Sequence, residues 1–143
     1  MAAKPVRLLG PISEKDRVAV YITDLLEHDG QVLIRYSIRN GTNRVYAPGT
    51  PQAVALMAPR YRESLYTLKN SELGSNEAPR LKSSGAIAIE VAKGEIRSSR
   101  IEPGQETEGI VAIKVPQEHP EPSVIRLVFL ASATGPVSAT LVL

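Results

Sequence analysis

The sequence predicts an all-β domain, an antiparallel β-sandwich of about seven to nine strands. Three observations carry the prediction. Apolar residues recur with period two in stretch after stretch, the pattern of strands with one buried and one wet face. Eleven Pro and ten Gly cut the 143 residues into pieces too short for long helices. Turn signals return roughly every ten residues, the spacing of a sandwich rather than of alternating helices and strands. The 43% hydrophobic share is mostly Val, Ile, Leu and Ala, with one Phe and no Trp, so the expected core is aliphatic.

Residues 1–16 are broken by Pro and charge and read as a leader or linker, within which Val6–Leu9 has the make-up of a short edge strand. Residues 17–143 read as a single domain, since a second core would be cramped at this length. In 17–26, Val18, Val20 and Ile22 share a face. Asp29-Gly30 then supplies the positive φ angles of a tight hairpin turn, and Val32, Ile34, Tyr36 and Ile38 alternate with Arg35, Ser37 and Arg39. Asn40–Asn43 is a second turn, and 50–58 is extended through Val54 and Leu56. Tyr61, Leu65 and Leu68 fall at i, i+4 and i+7, which predicts one short helix or helical turn near 60–69. The polar stretch 69–85 reads as the most mobile loop. Ile87, Ile89 and Val91 alternate up to a turn at Lys93-Gly94. Pro103-Gly104 occupies the centre of a type II turn, and Val111, Ile113 and Val115 share a face. Residues 124–132 are nearly all apolar, as in a central strand covered on both sides, and Val137, Ala139, Leu141 and Leu143 close the chain.

The segment Ile101-Glu102-Pro103-Gly104-Gln105, the strand through Gly109 and the stop at Val115-Pro116 resemble the late strands of bacterial immunoglobulin-like accessory domains. Asp29-Gly30, Tyr36–Asn40, Thr42 and Tyr46 are similar to their paired early strands. A looser similarity is to envelope components of conjugation and secretion systems. The resemblance implies an immunoglobulin-like fold and a role in adhesion, scaffolding or assembly. It also implies a periplasmic or envelope location if an export signal has been removed; otherwise the location is cytoplasmic.

Chemistry is sparse. With no Cys there is no disulfide, thiolate metal site or cysteine nucleophile. His28 and His119 lie in polar turns, and no paired metal-binding histidine motif, calcium loop, serine nucleophile motif or phosphate-binding glycine loop occurs. Glu102, Glu106 and Glu108 crowd one hairpin, as solvated edge residues do. Asn40-Gly41-Thr42 matches the N-glycosylation triplet. No enzyme activity, cofactor or metal is expected, and no apolar run is long enough for a transmembrane helix. Residues 30–100 carry eleven basic against five acidic residues, but scattered ones, which disfavours nucleic acid. Arg60, Tyr61, Arg62 and Tyr66 bring residue types enriched at interfaces together and are the candidate protein-interaction site. The expected function is a protein-interaction or assembly module, with β-strand addition at terminal edges as one mode. A carbohydrate- or small-ligand-binding sandwich is the first alternative. An enzyme with a loop-built site around His28 or His119 is the second.

Overall fold

The computed structural model describes residues 3–116 and 122–143, so His119 lies outside the described residues. Their strands are β1 (Lys4–Pro5), β2 (Arg7–Leu9), β3 (Val18–His28), β4 (Gln31–Asn40), β5 (Gln52–Met57), β6 (Ser71–Leu73), β7 (Gly85–Ile96), β8 (Glu106–Lys114), β9 (Val124–Ser132) and β10 (Gly135–Val142). They form one sheet in the order β1-β3-β4-β8-β7-β5-β9-β10-β6-β2, coiled nearly into a barrel. The fold is all-β, and its helical content among the described residues is two 3₁₀ turns, Leu65–Leu68 and Ala78–Arg80.

The first hairpin follows from its sequence. His28 pairs with Gln31, and the two residues between them, Asp29 and Gly30, have φ of +50° and +76°, as a type I′ turn requires. Val20 and Ile22 on β3 and Ile34, Tyr36 and Ile38 on β4 point into the core, while Arg35 and Arg39 are exposed. A bulge between Ile22 and Asp24 inserts one residue, which moves the inward phase of β3 to Leu25.

β7 makes the sheet turn on itself. Gly85–Ile89 pairs with β5, and Glu90–Ile96 pairs with β8 across a bulge between Val91 and Lys93. The sequence expectation of a turn at Lys93-Gly94 is therefore corrected: both residues lie within the strand, and the extra residue bends it instead of reversing it. The type II turn is present, with Gln105 N–H donating to Glu102 O at 3.0 Å and Gly104 at φ +80°.

Facing strands enclose the core. Val20, Ile34, Tyr36, Ile38, Val111 and Ile113 on one side meet Ala53, Ala55, Ile125, Leu127, Phe129 and Leu141 on the other. Tyr36 meets Phe129 edge-on, ring centroids 5.2 Å apart. Tyr36 also lies across the backbone of its β8 partner, Gly109, where a Cβ would overlap the Tyr36 ring. Replacing Gly109 by Ala should therefore cost about 1–3 kcal/mol of overpacking strain, read as a lowered urea midpoint. An unchanged midpoint would refute the contact.

A second cluster sits on the outer face of β5, β9 and β10. Leu56, Val124 and Val142 alternate outward there and are covered by Leu68, Leu73 and Leu81, with Tyr61 and Leu65 packed alongside. This cover explains why β9 starts with Val124 and Ile125 both fully buried. The double cover ends part-way along, because Leu130 is 63% exposed. The helical turn expected near 60–69 is present as the 3₁₀ turn Leu65–Leu68. The same packing corrects one expectation. The supposedly mobile stretch 69–85 contains a buried strand, β6, held between β10 and β2.

Residues 4–9 belong to the sheet. β1 pairs with β3 and β2 pairs in parallel with β6, so one short segment holds both ends of the sheet. Past β1, residues 18–22 of β3 run beside β10 with no ladder between them, leaving a seam. The C-terminal strand is not an edge at its end, because Thr140–Val142 pair with β6.

Candidate functional site

The turn after β5 begins at Ala58, whose φ of +46° throws the chain off the sheet. Arg60 and Lys82 then exchange backbone hydrogen bonds of 2.7 and 2.8 Å, pinning the two arms of the covering segment together. Pro59, Arg60, Tyr61 and the 3₁₀ turn carrying Leu65 and Tyr66 thus stand over the ends of β5 and β7. Between them lies a groove of about 600 Å³.

The four candidate residues divide into two pairs. Tyr61 and Arg62 are spent on structure. The Tyr61 hydroxyl donates to Glu77, Arg62 Nη2 lies 2.9 Å from Glu77 Oε1, and the Arg62 guanidinium sits 5.2 Å from the Tyr61 ring centroid. Arg80 approaches the same carboxylate at 3.8 Å. The Tyr61 hydrogen bond, with the Arg62 and Arg80 charges behind it, holds the Glu77 carboxyl below its ordinary range. Burial, then the bond to Glu77, pushes the Tyr61 hydroxyl up. Arg60, Tyr61 and Tyr66 all line the groove. Tyr66 is 68% exposed, and the Arg60 side chain is exposed with no ion-pair partner among the described residues.

Met57, Glu63, Ile87 and Pro122 also line the groove and lie outside the four candidates. Met57 and Ile87 are 42% and 45% exposed and lie together at this groove with Tyr66. Ile87 alternates in sequence with Ile89 and Val91, yet of the three only Ile89 is buried. The β5–β7 register, Ala55 opposite Ile87 and Met57 opposite Gly85, brings these side chains together, and no local sequence signal reports that pairing.

The other candidate chemistry is dispersed. His28 lies in the hairpin turn, 3.1 Å from the exposed Asp29 carboxylate. Glu102, Glu106 and Glu108 are exposed. Among the described residues no group of three His, Asp or Glu side chains is placed to hold a metal ion, and no helix is long and apolar enough to cross a membrane. Asn40 is fully buried, its Nδ2 donating to Arg44 O and Ile101 O at 2.7 and 2.9 Å. The nitrogen of that triplet's asparagine is therefore enclosed and engaged. Comparison with protein families, with characterised proteins and with solved structures finds no match to this chain.

Proposed function

We propose that the domain is a non-catalytic protein-interaction module, and that its partner docks in the groove between the 58–66 turn and the β5–β7 strand ends. The observation that carries this reading is the exposure of Met57, Tyr66 and Ile87 around one concavity, large apolar side chains that folding alone would bury. Arg60 on the rim adds a guanidinium without an ion-pair partner among the described residues. The favoured occupant is therefore an extended segment of a partner protein in which a bulky apolar side chain neighbours a carboxylate.

The strand order supports an immunoglobulin-like ancestry for the module. Without the short strands β1, β2 and β6, seven remain. In chain order they run first-second-fifth-fourth in one half and third-sixth-seventh in the other, the connectivity of a constant-type immunoglobulin sandwich. Strand addition has less in its favour. β10 keeps an unpaired side only before Thr140, and there Pro136 has no N–H to offer an incoming strand.

The test places a photo-crosslinking residue at position 66 and, as control, at position 97, in cells of the source organism. The partner captured from position 66 alone is then purified and its affinity measured. Tyr66→Ala combined with Ile87→Asp should weaken binding at least about tenfold, roughly 1.4 kcal/mol. Arg60→Glu should weaken it further and reduce its salt dependence. Equal affinity for wild type and variants would overturn the docking site.

A further inference from the structure

Glu72 is the only carboxyl side chain among the described residues that is buried, with 2% of its surface exposed. It sits at the middle of β6 and reaches across the seam, where Oε1 accepts the Ile22 backbone N–H of β3 at 2.7 Å. No other hydrogen bond or ion pair to this carboxyl exists among the described residues. A glutamine would cap that edge N–H equally well, without the desolvation cost of an acid. The acid has a second feature beside it. Glu72 lines a cavity of about 380 Å³ in the seam, walled by polar groups that include Asn76, Ser138 and Thr140. Asn76 and Ser138 are exposed at the open mouth of this cavity, and their side chains make no hydrogen bond among the described residues, so a ligand would reach both as acceptors in exchange for water.

We infer that this cavity is a binding site for a small organic cation, an alkylammonium or guanidinium compound, held by the Glu72 carboxylate with Asn76 and Ser138 as neutral acceptors. The volume falls within the range of small-ligand pockets. Binding is proton-linked: burial pushes the Glu72 carboxyl up to about 8, and the cation displaces its proton.

The surrounding groups leave that linkage to Glu72. Tyr21 on β3 is pushed up to about 12, by burial first and by its hydrogen bond to Glu14 second, and stays neutral. Glu14 is paired with Arg39 at 3.2 Å, and Arg7 on β2 is turned to Thr67 O and Ser71. β10 offers neutral Ser138 and Thr140. Two cations of the described residues stand near the cavity: the exposed Arg17 on its wall, able to compete for Glu72, and Arg126, whose Nε donates to Thr140 Oγ1 at 3.3 Å.

The experiment titrates the full chain with n-butylammonium chloride, followed by amide chemical shifts and calorimetry. Affinity should rise roughly tenfold per pH unit from about pH 6 to pH 8, because one proton leaves for each cation bound. Glu72→Gln keeps the acceptor for Ile22 and therefore the fold, and should lose at least about tenfold in affinity at pH 8. A blocked lysine tripeptide, which carries the same butylammonium group but must seat its backbone against the cavity mouth, should bind at least about tenfold more weakly than the free amine. Absence of saturable binding at pH 8, or equal binding by Glu72→Gln, would overturn the site. Binding seen only in an Arg17→Gln variant would also overturn it, by assigning the cavity to an internal Arg17–Glu72 pair. A tripeptide that matched the amine would overturn the assignment to a free ligand.

Discussion

Replacing Asn40 by aspartate should cost about 3–5 kcal/mol, a large part of the 5–15 kcal/mol that holds a domain of this size together. Asn40 closes β4 at a point where three chain segments meet. Its Nδ2 supplies the carbonyls of Arg44 and Ile101, and its Oδ1 accepts the Thr42 N–H at 3.0 Å and the Thr42 hydroxyl at 2.6 Å. Its own backbone exchanges bonds of 2.9 and 2.8 Å with the type II turn, from Asn40 N–H to Gln105 O and from Gly104 N–H to Asn40 O. Aspartate has the same shape but no N–H₂. It would hold a carboxylate oxygen against two buried carbonyl oxygens, with no counter-charge. Asn40→Ala removes the same bonds without adding a charge, and should cost about 2–3 kcal/mol. The order of the two variants is the decisive reading. Urea midpoints at neutral pH should fall further for aspartate than for alanine, and the aspartate variant should recover partly in acid, where its protonated oxygen regains a donor. If alanine proved as damaging as aspartate at neutral pH, repulsion would not be the operating term.

Asn40 also shows where legibility in the sequence stops. As a letter it belongs to a turn and to a glycosylation triplet, and both readings are local. Its burial comes from Ile101, sixty-one residues away. The hairpin before it was legible because every determinant is local: Asp29-Gly30 sets the turn, and the turn sets the register of the alternating residues on either side. The alternation in β8 and β10 was readable for the same reason. The bulges were not, since one inserted residue looks like ordinary strand until a partner is known, so Lys93-Gly94 passed for a turn. β6 was hidden by composition. Ser71 and Glu72 are buried only because β10 and β2 flank them and, for Glu72, because β3 lies across the seam, and polarity by itself spoke for a loop. The groove was half legible. Arg60 and Tyr66 could be found as residue types, whereas Met57 and Ile87 reach the same concavity through the β5–β7 register.

Glu72→Gln should abolish the main pH dependence of stability in the neutral range. In the unfolded chain this carboxyl titrates near its ordinary 4.5, while burial in the fold raises it to about 8, opposed only by the Ile22 N–H. Between those values the folded protein retains a proton that the unfolded chain has lost, so stability falls as pH rises, by up to about 1.4 kcal/mol per unit. The loss begins above pH 4.5 and is complete once pH has passed through 8, where it amounts to a few kcal/mol. Glu77 acts in the opposite sense. Its depressed carboxyl contributes stability that is present above 4.5 and lost in acid, outside this window. The difference between wild type and Glu72→Gln therefore isolates the seam. Denaturant midpoints for the two proteins should coincide near pH 4 and separate steadily towards pH 9, with the glutamine protein the more stable. Parallel profiles across that range would mean that water reaches the carboxyl freely and that the seam is open. A wild type that lost its slope when n-butylammonium was added, while the glutamine variant did not respond, would tie the pH dependence and the cation site to the same carboxylate. A bound cation stabilises the ionised form that the empty seam penalises.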